Sequence, residues 1–177
     1  FFVLGIGSIV AAIKYTVGNL AYGYSGFGDL FVFIFFGLLS VLGSYFLFTK
    51  EIYFLLTLPA ISIGLLSTAV LNLNNIRDYQ NDKKTKKHTI VVKIGVKAAK
   101  RYHYCLLLFS FICSLSYVVL TFTKAVQFIF LLAYIPLVIH ALFVYNNKEE
   151  FRLDAELKKV ALSTFLFSVL LGLGQVL

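Results

Sequence analysis

Long apolar runs separated by short polar stretches dominate the chain. Charge-free runs extend from Leu30 to Thr49 (20 residues), Ile52 to Ile76 (25), Tyr102 to Thr123 (22), Ala125 to Asn147 (23) and Val160 to Leu177 (18). At a helical rise of ~1.5 Å per residue, each is long enough to cross a bilayer's hydrocarbon core. Phe1 to Ile13 is too short by itself and reads as the remnant of a longer helix. The pattern predicts an all-α, polytopic transmembrane helix bundle forming one domain over residues 1–177. Its six segments lie at about 1–13, 30–49, 52–76, 102–123, 125–147 and 160–177. A soluble core does not require five such runs in succession. A transmembrane β-barrel needs ~10-residue strands of alternating polarity, and neither Ser62 to Leu73 nor Leu106 to Leu120 alternates.

Composition supports this reading, and the placement of charge adds an orientation. Only 14% of residues are charged, against ~25% in soluble domains. Of 16 Lys and Arg residues, 14 fall in three alternate loops: Lys14–Asp29, Arg77–Arg101 and Lys148–Lys159. Lys50 and Lys124 hold the opposite side. By the positive-inside rule the three basic loops face the cytoplasm and the C-terminus faces outward. The net charge of +8 is therefore a topology signal first. No aromatic–basic interleaving or zinc-finger spacing points to nucleic acid.

Several features carry less. The chain opens on Phe1 and contains no Met, which predicts a fragment; no basic n-region marks Phe1–Ile13 as a signal peptide. Cys105 and Cys113, eight apart on one helix, stand about 12 Å from each other, too far for a disulfide. Pro59 and Pro136 fall inside spans as candidate kinks. Lys14–Asp29 is rich in Gly and Tyr and reads as an irregular interfacial loop without a phosphate-loop motif. The mixed-charge stretch Lys148–Lys159 reads as a short surface helix or a plain linker.

The chemistry concentrates where the 25-residue run ends. Asn72, Asn74 and Asn75 precede Arg77-Asp78, and Asn81-Asp82 precedes Lys83, Lys84, Lys86, Lys87 and His88. If the helix continues, Asp78 and Asp82 share a face and repel unless a cation lies between them. Mg²⁺ is commonly held by one or two carboxylates together with substrate phosphates. The asparagines add neutral ligands, and the lysines are point charges for phosphate. The competing reading is a cytoplasmic loop in which the two aspartates merely offset nearby lysines. His88 reads as a solvent-facing loop residue, and His103 and His140 as polar helix residues. Spacing thus points to Mg²⁺–diphosphate chemistry at a membrane surface without naming a second substrate.

The segment Asn74 to Gly95, NNIRDYQNDKKTKKHTIVVKIG, closely resembles the second Asp-rich motif of the UbiA-type intramembrane aromatic prenyltransferases. Within that superfamily it is most similar to the branch that prenylates 1,4-dihydroxy-2-naphthoate for menaquinone synthesis. Gly23 to Gly37, GYSGFGDLFVFIFFG, resembles the family's cytoplasmic loop entering the next helix. The resemblance implies a nine-helix bundle around a central cavity, of which these segments match the last six. It implies two Asp-rich motifs that together bind a polyprenyl diphosphate through Mg²⁺. Asp78 and Asp82 occupy the second, and nothing here matches the first. It makes Asp78, Asp82 and Arg77 the catalytic candidates, with Asp78 and Asp82 as metal ligands. Asn74, Asn75, Lys86 and Lys87 are candidates for the diphosphate, and Tyr22, Tyr24 and Asp29 for the aromatic-substrate side. It also implies loss of the ring carboxylate as CO₂, no nucleic-acid partner, and residence in a bacterial cell membrane with the Asp-rich loop cytoplasmic. The alternatives are another aromatic acceptor, such as 4-hydroxybenzoate, or a non-catalytic transporter or scaffold.

Overall fold

A chain in hydrocarbon must satisfy its backbone N–H and C=O groups within itself, and the apolar runs do so as helices. The computed structural model describes residues 2–16, 25–147 and 153–177, and among these every regular element is helical. In chain order these are α1 (Phe2–Thr16), α2 (Gly28–Thr49), α3 (Phe54–Arg77), α4 (Tyr79–Lys84), α5 (Ile90–Ile94), α6 (Val96–Leu120), α7 (Ala125–Asn146) and α8 (Asp154–Val176). Helices α2, α3, α6, α7 and α8 are long and apolar enough to cross a membrane, as an integral membrane protein requires.

Two helices begin earlier than the hydrophobic pattern predicts. α6 starts at Val96 rather than Tyr102, so Lys97, Lys100 and Arg101 occupy its first two turns. α8 starts at Asp154 rather than Val160, so the second half of the mixed-charge stretch is its opening turns. Acidic residues suit that position, because Asp154 and Glu156 face the positive end of the helix dipole. Charge density marks where a helix leaves hydrocarbon, not where its hydrogen bonding stops. Lys148 to Arg152, like Tyr22 and Tyr24, lies outside the described residues.

α3 is the central element and packs against α2, α6 and α8, while α8 also packs on α7. Its contact with α2 is set by two glycines. A Cβ on Gly37 would lie 2.6 Å from the Ala60 carbonyl oxygen, and one on Gly64 would lie 2.9 Å from the Phe33 carbonyl oxygen. Only residues without a side chain let the two backbones approach this closely. Pro59 lies in the first turn of the α-helical part of α3, where a missing backbone N–H is tolerated. Pro136 is an interior position of α7.

The bundle is apolar outside and carries polar groups inside. Leu108, Leu132, Leu142 and Leu162 are exposed, as lipid-facing side chains should be. Ser62, Ser110, Ser114, His103 and His140 are buried. The Ser110 and Tyr134 hydroxyls lie 2.9 Å apart, joining α6 to α7, and Ser62 reaches Ser110 from α3 at 3.0 Å. A second chain runs from α6 through α7 to α8: His103 Nε2 to His140 Nε2 at 2.9 Å, then His140 Nδ1 to Glu156 Oε2 at 2.7 Å. With His140 Nδ1–H donating to the carboxylate, its Nε2 accepts from His103 Nε2–H. The two histidines are polar helix residues, as the sequence predicts, and the structure joins them to one another.

Candidate functional site

α3 ends at Arg77, and Asp78 breaks the helix with φ −89° and ψ 4°. The break is slight: the Asp78 N–H still donates to the Asn74 carbonyl, and the Asp82 N–H to the Asp78 carbonyl. The two aspartates therefore keep a helical spacing, but each has its own cation. Arg77 grips Asp78 with both edges of a fork, Nε to Oδ1 and Nη2 to Oδ2, each at 2.9 Å. Nη2 also donates to Asn74 Oδ1 at 2.8 Å, and Nη1 to Asp154 Oδ1 at 2.8 Å. Asp82 is only 3% exposed and pairs with Lys87 at 3.1 Å. The chain returns Lys87 to Asp82 through a left-handed residue, Lys86 at φ 56°, and the Lys87 N–H closes the turn onto the Asp82 carbonyl.

The structure thus brings together Asn74, Arg77 and Asp78 in one cluster and Asp82 with Lys87 one turn on. Asn75 is buried on the flank of α3, and Lys86 is exposed. Asn72, a turn deeper, is fully buried, and its side-chain amide meets no partner among the described residues. Below Asn74 a cavity of about 560 Å³ opens between α2, α3 and α8, lined by Phe36, Ile63, Val70, Asn74, Leu157 and Phe165 among others. The polar cluster stands at one end of an apolar hollow.

Asp29 borders a different cavity, of about 480 Å³, with Thr68, Tyr102, Cys105 and Phe109. It is buried in the first turn of α2, on another face of the α2–α3 pair from Val32 and Phe36, which line the larger cavity. The structure does not join Asp29 to the Arg77 cluster. The loop before it does reach the Asp-rich segment's continuation: Lys93 Nζ donates to the Ser25 carbonyl at 2.8 Å, and Gly26, at φ 88°, leaves room for the lysine.

Asp154 belongs to the site by contact and was not among the sequence candidates. It lies 77 residues from Arg77, in a stretch whose charges read as a surface feature. Only helix packing joins the end of α3 to the start of α8.

Among the described residues no three His, Cys, Asp or Glu side chains converge as a metal cage. A two-carboxylate donor set still fits Mg²⁺, which takes few protein ligands and completes its shell with water and substrate phosphate. The described oxygens that fit are those of Asp78, Asp82 and Asn74.

The UbiA prenyltransferase family model matches residues 1–171. The chain is 43% identical over 171 residues to 1,4-dihydroxy-2-naphthoate octaprenyltransferase of Haemophilus influenzae, covering 97% of this chain and 56% of that protein. It is 42% identical over 174 residues to the Escherichia coli protein of the same name, with 98% and 56% covered. Human UbiA prenyltransferase domain-containing protein 1 is 30% identical over 89 residues, 50% of this chain and 26% of that protein. The chain spans about half the length of the two bacterial relatives. No solved structure matches it.

Proposed function

The chain belongs to the UbiA prenyltransferase family, and on that premise we propose that this protein transfers a polyprenyl group from polyprenyl diphosphate to 1,4-dihydroxy-2-naphthoate, as a step of menaquinone synthesis. The observation that carries the reading is the charged cluster of Asn74, Arg77 and Asp78 at the polar end of an apolar cavity. A diphosphate with a long isoprenoid tail has the same division of chemistry. The cavity walls accept the tail, and Phe36, Ile63, Val70 and Phe165 exclude water from the allylic carbon.

Bound Mg²⁺ supplies neutralisation of the diphosphate and makes it a better leaving group. Asp78 and Asp82 are the residues that would hold it. Arg77 carries fixed positive charge beside Asp78 and meets the phosphate oxygens as negative charge develops on them. Lys86 and Lys87 add charge from the turn after α4. The acceptor ring forms a C–C bond to the allylic carbon as the C–O bond to diphosphate breaks with its electron pair on oxygen, and the ring carboxylate leaves as CO₂ with its C–C bonding pair returned to the ring. In this reading Asp29 serves the acceptor, and the family resemblance assigns Tyr22 and Tyr24 the same task. The 14:2 division of basic residues supports a cytoplasmic Asp-rich loop in a bacterial cell membrane.

The test is turnover of the full-length membrane protein with dihydroxynaphthoate, a polyprenyl diphosphate and Mg²⁺. Asp78→Asn and Asp82→Asn each lower it about 100-fold or more, the range seen when fixed transition-state electrostatics are removed. Undiminished turnover in both variants sinks the site. Preference for 4-hydroxybenzoate moves the acceptor to another branch of the family.

A further inference from the structure

Arg77 ties two distant parts of the chain together. Its Nε and Nη2 are engaged with both oxygens of Asp78, while Nη1, on the other edge of the guanidinium plane, is held by Asp154. One positive charge therefore faces two carboxylates, and only one of these belongs to the Asp-rich segment. A cation–diphosphate that uses Asp78 must compete with the Arg77 fork for the same two oxygens. Asp154 is under no such competition.

We propose that Asp154 is a positioning residue of the diphosphate site: it keeps Arg77 anchored when Asp78 turns to the cation, leaving Nε and Nη2 directed at the diphosphate. The proposal rests on the reading of Asp78 as a metal ligand and extends it to a residue on another helix.

Two further observations support it. The first turn of α8 is a fixed platform, because Glu156, two residues after Asp154, is buried between His140 and Lys159. His140 is in turn bonded to His103, so the platform is braced against both α7 and α6. The ion pair also stands where the cavity begins. Asn74 lies one turn before Asp78, Leu157 one turn after Asp154, and both line the same hollow. The Arg77–Asp154 pair thus bridges two walls of the cavity at its charged end.

The experiment compares Asp154→Asn, Asp154→Ala and Asp154→Glu in the full-length protein, with geranyl diphosphate as prenyl donor. Asp154 is largely exposed, at 72%, so the coupling is that of a solvent-facing pair and the effect is modest. In the Asn and Ala variants the KM for the diphosphate and the half-saturating Mg²⁺ concentration rise about 3- to 5-fold. In the same variants kcat stays within about 2-fold, the acceptor KM is unchanged, and the Glu variant recovers most of the loss. Direct binding of a non-reactive thiodiphosphate analogue weakens by the same factor. An unchanged diphosphate KM overturns the proposal. So does a fall in kcat and thermal stability together with a rise in both KM values, which marks a purely structural role. If Asp78→Asn and Asp82→Asn abolish turnover while Asp154→Asn moves nothing, the metal site stands and the positioning role alone fails. Full turnover in Asp78→Asn and Asp82→Asn removes both.

Discussion

At Gly95 the backbone takes φ 80° and ψ 158°, a region open essentially to glycine alone. This one residue explains why the segment Asn74 to Gly95 closes on glycine, and Thr89 explains where its last helix, α5, begins. The Thr89 hydroxyl accepts from the Val92 N–H and caps α5, and Gly95 then turns the chain directly into α6. No atom beyond its two chain neighbours lies within 4 Å of where a Gly95 Cβ would stand, so the cost of substitution is conformational rather than a clash with packed neighbours. Gly95→Ala is expected to destabilise by about 1–3 kcal/mol in chemical unfolding in detergent micelles. Gly95→Asn is expected to cost as much, because asparagine relieves the left-handed helical region, not an extended backbone with positive φ. The segment Asn74 to Gly95 was legible along the chain as a motif, but the positive-φ turn at its end was not. The cations that meet Asp78 and Asp82, Arg77 and Lys87, are their near neighbours in sequence, whereas Asp154, the second carboxylate on Arg77, is not.

Among the elements, the α2–α3 contact sets the geometry of both cavities. The stretch Phe33–Leu39 of α2 is wound as a π-helix, an uncommon form often found at functional sites. It presents Gly37 to Gly64 and directs Phe33 and Phe36 to different cavities. Gly64→Ala places a methyl group 2.8 Å from the Phe33 ring and 2.9 Å from the Phe33 carbonyl oxygen. Because backbone cannot yield as a side-chain tip does, the expected loss is about 1–3 kcal/mol of stability in the same unfolding assay. Wild-type stability in Gly64→Ala would show that the two helices are free to separate there. Hydropathy located both helices to within a few residues, yet it held no sign of the π-helical turn. Such a turn depends on what the helix packs against, and Gly37 reads along the chain as any glycine in an apolar run.

For the whole molecule, the 560 Å³ hollow between α2, α3 and α8 gives the proposed tail site a definite wall. Ala161 is a small lining residue, and Ala161→Trp fills part of that space. With a mixture of short and long prenyl diphosphates, mass spectrometry of the products should show the long-chain share fall about 10-fold relative to the geranyl product. That ratio corresponds to ~1.4 kcal/mol of lost tail binding. An unaltered product distribution would place the tail elsewhere. The all-helical class, the number of long segments, the sidedness of charge and the Asp78–Asp82 motif were all determined by the sequence itself. Each follows from composition over a local window, since hydrocarbon rewards apolar length and forbids unpaired backbone. Tertiary structure decided which aspartate meets which cation, that His103, His140 and Glu156 form one buried chain, that Asp29 faces a separate cavity, and that Asp154 reaches Arg77. Those are contacts between helices far apart in the chain, fixed by small-residue crossings and buried polar pairs whose partners no local pattern records.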